Sequence, residues 1–215
     1  MHHLRPSDPP LAYAVQKMVQ RYGVRIEDLF WILHGVEMDL GRSRYERYDE
    51  LLEYCDAVAS AVGLAMLPIF DANRETCYGY ALATGRALQL TNILRDLTVD
   101  AARGRVYLPQ EDLRRFGYSD REIELGIYNP AFDELMRFQT RRILELHREA
   151  ERSLPPQYRK QLQAAETMRK VYLELLRQIH LQEHRVFQTR IQIPSYMKLK
   201  ILLQQWSAQV FSFSS

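Results

Sequence analysis

Apolar residues along this chain recur three and four positions apart over long stretches, the period of a helix with one buried face, and nowhere alternate as strand positions do. Glycine and proline punctuate that pattern. Pro9-Pro10 opens a first helix that ends near Gly23, and a second follows over about 25–40, with Glu27 and Asp28 in the first turn, where the helix dipole favours acids. After Gly41-Arg42-Ser43, helices are predicted over about 48–70 and about 73–102, the longest of the chain. Residues 104–109 are a connector and 110–116 a short helix. Ser119, with Glu122 three residues on, forms a capping box for another short one. Pro130 leads a long amphipathic helix to about Ser153, and Pro155-Pro156 marks the next start. Two last helices, over about 158–183 and 195–209, flank the more β-branched stretch 190–194.

The class is all-α: a helical bundle whose apolar faces must cover one another. Repeats and linkers are absent. The expected organisation is a disordered segment at 1–10, one helical domain over 11–208 and a tail at 209–215.

Composition narrows the function. The chain is 47% hydrophobic and 26% charged with a formal net charge of +2, which suits neither disorder nor a nucleic-acid footprint. Two cysteines, Cys55 and Cys77, are too few for a disulfide framework or a zinc site, so buried free thiols in a reducing compartment are expected. No apolar run reads as long enough to span a bilayer, and the first ten residues lack a secretory signal.

The chemistry lies in the stretch 73–102. Gln89, Asn92, Asp96 and Asp100 are spaced three, four and four apart and share one helical face. Two carboxylates a turn apart, with an amide oxygen a turn earlier, offer hard oxygen donors of the kind magnesium takes while keeping waters and binding substrate phosphate. Arg95 and Arg103 flank that face. The bare spacing is weak: eleven aspartates in 215 residues give roughly half of one such pair by chance. On spacing alone, a solvated acidic helix end is the better reading. Against it, like charges at i and i+4 repel and a helix C-terminus disfavours anions, penalties that a cation relieves. Asp49 and Glu53 share the spacing and are expected on a solvated face.

The surrounding string, ALQLTNILRDLTVDAARGRVYLP (87–109), resembles the second aspartate-rich motif of the squalene/phytoene synthase family. YCDAVASAVG (54–63), GVEMDL (35–40) and the C-terminal stretches MRKVYLELLRQI and HRVFQTRIQIPSYMKLKILLQQW resemble further blocks of that family, in order along the chain. The resemblance implies an isoprenoid-synthase-type bundle and a magnesium-dependent prenyltransferase. Its reaction would be the head-to-head condensation of two isoprenyl diphosphates to a cyclopropylcarbinyl diphosphate, releasing pyrophosphate. It places Asn92, Asp96 and Asp100 on Mg2+, Arg95, Arg105 and Tyr107 on diphosphate, Gln89 near the reacting carbons, and Tyr54 by the proton or the cation. Tyr172 and Arg190 match C-terminal positions that approach the diphosphate, while the apolar stretches 54–67 and 80–93 would line a dry cavity. Within the family, GVEMDL, LPQEDLRRFG and AAETMRKVYLELL look most like presqualene diphosphate synthases of hopanoid pathways, acting on farnesyl diphosphate. Phytoene synthases of carotenoid pathways, acting on geranylgeranyl diphosphate, share nearly all of it.

Family members carry a first aspartate-rich motif upstream of the segment matched here. The resemblance therefore implies an N-terminally truncated chain, through a fragment or a misplaced start, with little synthase activity as it stands. Its expected place is the cytoplasm, with peripheral contact to a membrane and to other enzymes of the pathway, and no nucleic-acid partner. The rival readings are a non-catalytic relative acting as an assembly partner, and a terpene cyclase or chain-elongating synthase of the same fold.

Overall fold

The computed structural model describes residues 9–197, 200 and 201, so the expectations for the first residues, for most of the last helix and for the tail at 209–215 lie outside the described residues. The helices are α1 (Pro10–Tyr22), α2 (Ile26–Gly41), α3 (Tyr48–Cys55), α4 (Ala61–Met66), α5 (Tyr78–Arg95), α6 (Leu97–Ala101), α7 (Gln110–Phe116), α8 (Asp120–Glu124), α9 (Pro130–Ser153) and α10 (Gln163–Leu181). Among the described residues no strand forms; one isolated bridge joins Arg44 to Val106. Punctuation explains most boundaries. Gly23 closes α1 in the left-handed region at φ 71°, Ser119 caps α8 by accepting from the Glu122 N–H, and Asn129 caps α9 ahead of Pro130.

Three expected helices differ in detail. The stretch 73–102 begins later, because the Asn73 side chain accepts from the Thr76 N–H at 2.8 Å and holds a turn before Tyr78. It also breaks at Asp96 (φ −101°, ψ 15°), which divides α5 from α6. The stretch 158–183 opens with a 3₁₀ turn at Pro156–Tyr158, and α10 starts only at Gln163. The stretch 48–70 is three pieces: α3, a π-helical segment Asp56–Ser60, and α4, followed by the 3₁₀ turn Pro68–Phe70.

By length and composition, Tyr48–Phe70 does pass for a membrane span, contrary to the sequence reading. Half of its most apolar window is buried inside the protein, and Asp56 within it is paired with Arg86, so we read it as a core element.

The π-helical segment sits between two close approaches. A Cβ on Gly85 of α5 would lie 2.5 Å from Ser60 Cα and N, and one on Gly35 of α2 would lie 2.7 Å from Val58 Cγ1. Only a residue without Cβ lets the backbones meet this way. Arg86 donates to both oxygens of the buried Asp56 at 2.7 and 2.6 Å, and the Ser60 hydroxyl donates to the same carboxylate at 3.0 Å. The stretches 54–67 and 80–93 pack face to face, with Gly63 against Ala81 and Ser60 against Gly85, and Tyr54, Gln89, Asn92 and Ile93 from their ends line one cavity. Asp28 acts less on the dipole of α2 than on Arg74, which grips its buried carboxylate at 3.0 and 2.6 Å. Cys55 and Cys77 are buried free thiols, and Asp49 is a largely exposed residue paired with Arg47.

Candidate active site

Tyr54 leaves the last turn of α3 just before the π-helical segment, and α5 delivers Gln89 and Asn92 opposite it. Asp96 stands at the α5–α6 break and Asp100 in α6, while Arg105 and Tyr107 follow on the connector. The break does not scatter the predicted face: the Asp96 N–H still donates to Asn92 O at 2.8 Å, and the Asp100 N–H to Asp96 O at 2.9 Å. One cavity of about 270 Å³ collects Tyr54, Gln89, Asn92, Arg95, Asp96, Asp100, Arg105 and Tyr107. Tyr172 and Arg190 line a neighbouring cavity that shares Arg95. Arg190 crosses from it to Asp96, donating at 2.9 and 3.3 Å. All ten predicted residues are thus brought together, eight in the main cavity and two beside it.

Asp39, which sequence reasoning did not single out, lines the same cavity. It accepts a 2.7 Å hydrogen bond from the Tyr107 hydroxyl, and Arg105 Nη2 donates to its main-chain carbonyl at 3.0 Å. The signal was present in GVEMDL, read only as a helix end. The rings of Tyr54 and Tyr107 stack at 5.2 Å, with Tyr45 5.5 Å from the first and 6.0 Å from the second.

The electrostatics of the two aspartates diverge. Burial pushes the Asp96 carboxyl up, but hydrogen bonds from Arg95 and Arg190 outweigh it and hold the group below its ordinary range. Burial and the charge of Asp96 push Asp100 up to about 6, against Arg103 and Arg105. The Asn92 side-chain oxygen is buried with no hydrogen-bond partner among the described residues. Burial, then the hydrogen bonds and charge of Tyr107 and Asp39, hold the Tyr54 hydroxyl far above the usual phenol range; Tyr107 is pushed up to about 12.

The donor set fits magnesium in part. Asp96, Asp100 and the orphaned Asn92 oxygen are hard oxygen donors, yet among the described residues no three His, Cys, Asp or Glu side chains cluster closely enough to hold a metal ion. Such a site suits a cation that completes its shell with water and phosphate oxygens.

The all-helical bundle that gathers acids and arginines around one cavity has the fold of the isoprenoid synthases on which it superposes. The comparisons place it more narrowly. Residues 2–196 match the family model described as squalene/phytoene synthase. Phytoene synthase 1 of Arabidopsis thaliana is 35% identical over 98% of this chain and 51% of the relative. A phytoene synthase of Arthrospira platensis is 34% identical over 94% of this chain and 70% of the relative. The crystal structure of a dehydrosqualene synthase superposes with a TM-score of 0.81 at 27% identity, covering 95% of this chain and 72% of that one. Squalene synthase HpnC from Alicyclobacillus acidocaldarius superposes with a TM-score of 0.75 at 25% identity, over 82% and 67%. The chain belongs to the squalene/phytoene synthase family, and it spans about half the length of the Arabidopsis relative.

Proposed function

We propose that the cavity between Tyr54 and Asp100 serves the head-to-head condensation of two isoprenyl diphosphates, releasing pyrophosphate and forming a cyclopropylcarbinyl diphosphate. The observation that carries this reading is the union, around one cavity, of two carboxylates and an orphaned amide oxygen with Arg95, Arg103 and Arg105, beside stacked tyrosines. Asn92, Asp96 and Asp100 would hold magnesium, which when bound neutralises the charge of a departing diphosphate. Arg95, Arg103 and Arg105 bind diphosphate oxygens, with Arg190 and Tyr172 reaching in from the neighbouring cavity. Asp96 must give up part of its pairing with Arg95 and Arg190 to do this, which frees those guanidiniums for phosphate. Tyr54 keeps its proton at neutral pH, so it offers a ring face and a hydroxyl oxygen to a passing carbocation and does not act as a phenolate.

Farnesyl diphosphate, giving presqualene diphosphate, is the first substrate proposed; the superposable structures named as squalene and dehydrosqualene synthases support it. Relatives named phytoene synthases, at 34% and 35% identity, favour geranylgeranyl diphosphate as the second reading. We place this work in the cytoplasm, with peripheral contact to a membrane that holds the greasy product. Calorimetry with magnesium pyrophosphate, joined to mass spectrometry after incubation with either substrate, tests this. Binding that disappears in Asp96→Ala, with a product of either chain length, is expected. No binding and no product would sink the assignment, whereas binding without product would favour the non-catalytic partner role.

A further inference from the structure

We propose that Asp39 is a positioning residue for this site: directly and through Tyr107 it turns the hydroxyl of Tyr54 so that the oxygen lone pairs face the cavity. The inference rests on the role given to Tyr54 above. Tyr107 has one hydroxyl proton, and it is committed to Asp39 Oδ1 at 2.7 Å. A phenol has one donor and two acceptor sites, so the Tyr107 oxygen can then serve Tyr54 only as an acceptor. The Tyr54 hydroxyl is within hydrogen-bonding reach of both Tyr107 and Asp39, so its proton is drawn toward that pair and its free lone pairs are left for the opposite side. The two rings stack at 5.2 Å and are nearly buried, 3% and 6% exposed, which holds their hydroxyls in a fixed relation.

Helix stability offers no reason for Asp39. It stands in the last turn of α2, where the dipole disfavours an anion. Arg105, which donates to the Asp39 carbonyl, fixes that turn against the connector carrying Tyr107. An oxygen whose lone pairs are held aimed into the cavity stabilises positive charge developing there without reorganising, as preorganised dipoles do. The bland alternative is that Asp39 only satisfies a buried hydroxyl, with no consequence for Tyr54.

The test compares Asp39→Leu, Asp39→Asn and Tyr107→Phe in the full chain, with tyrosine Cζ carbons labelled for NMR and helicity checked by circular dichroism. Asp39→Leu and Tyr107→Phe should both move the Tyr54 Cζ resonance, and Asp39→Asn, which keeps an acceptor oxygen, should restore most of it. In single-turnover product assays, Asp39→Leu should lower the rate about tenfold or more, leave magnesium pyrophosphate affinity within twofold, and in the double variant with Tyr107→Phe lose less than the sum of the two single losses. Tyr45→Phe, which removes a buried hydroxyl without a partner, should change neither signal. An unmoved Tyr54 resonance in folded Asp39→Leu overturns the proposal, as do additive rate losses. If the parent forms no product at all, the functional reading fails, while the resonance of Tyr54 still decides the coupling.

Discussion

Gly85→Ala should destabilise the protein by an amount that the packing of α5 on the π-helical segment sets. The new Cβ would lie 2.5 Å from Ser60 Cα and N, whereas carbon pairs rest at about 3.5–4.0 Å. More than an ångström of overlap falls on backbone, which no rotamer change relieves. Overpacking costs about 1–3 kcal/mol, and a backbone clash belongs at the upper end. Alanine returns about 1 kcal/mol through its better helix propensity, leaving a net loss of about 2 kcal/mol. For a chain of this size that is a fall in Tm of about 4–8 °C. Two glycines provide the scale. Gly79→Ala, in the same helix, meets only the Ser153 side chain at 3.6 Å, so propensity dominates and Tm should rise by about 2–4 °C. Gly35→Ala meets Val58 Cγ1 at 2.7 Å, a side chain that can turn, and backbone only at 3.0 Å; it should fall between the two. Differential scanning calorimetry reads the order. If Gly85→Ala melts at or above the parent, or no lower than Gly79→Ala, the packing account is wrong.

Acid should weaken the fold through His147, whose two ring nitrogens are buried without partners and whose pKa is depressed to about 4, first by burial and then by the charge of Arg169. Its unfolded counterpart takes up a proton near pH 6.5 while the folded one does not, so stability present above pH 6.5 is lost as pH falls toward 4, by about 2 kcal/mol between pH 7 and 5. Urea midpoints at the two pH values should show that loss reduced in His147→Leu; an equal loss in both proteins would clear this residue. Arg86→Met should cost about 3 kcal/mol by stranding the buried Asp56 carboxylate, and adding Asp56→Asn should recover part of it. Equal urea stability of the single and double variants would show that Asp56 is not held as an ion.

Local signals were the legible ones. Gly23 and Ser119 mark helix ends through their own backbone and side-chain chemistry, and both act there in the structure. The carboxylate face was legible for the same reason, since a four-residue spacing survives the break at Asp96 while the backbone hydrogen bonds run on. The π-helical segment was not, because DAVAS reads as ordinary helix. Its cause lies outside it, in Gly35 and Gly85 pressing from two sides and Arg86 thirty residues away from the Asp56 it pairs with. The late start of α5 is a different failure: Asn73 was read as a helix beginning, and its side chain instead closes a turn on Thr76.

Asp39 shows why a site can be found in sequence and still be missed in part. Asp96 and Asp100 advertise themselves by repelling each other, a strain visible within five residues. Asp39 is 68 residues from the tyrosine it holds, and its nearest sequence neighbours are hydrophobic positions of α2. What marks it is a local misfit, an anion in the last turn of a helix, whose compensation comes from the connector at Arg105 and Tyr107. Arg190, which reaches Asp96 across 94 residues, was open only to the resemblance of the C-terminal stretch, since nothing in its own spacing points to Asp96. Spacing put Asp96 and Asp100 on one face and the surrounding string gave that face its meaning, while Asp39 is readable only as a small penalty that the helix carrying it does not explain.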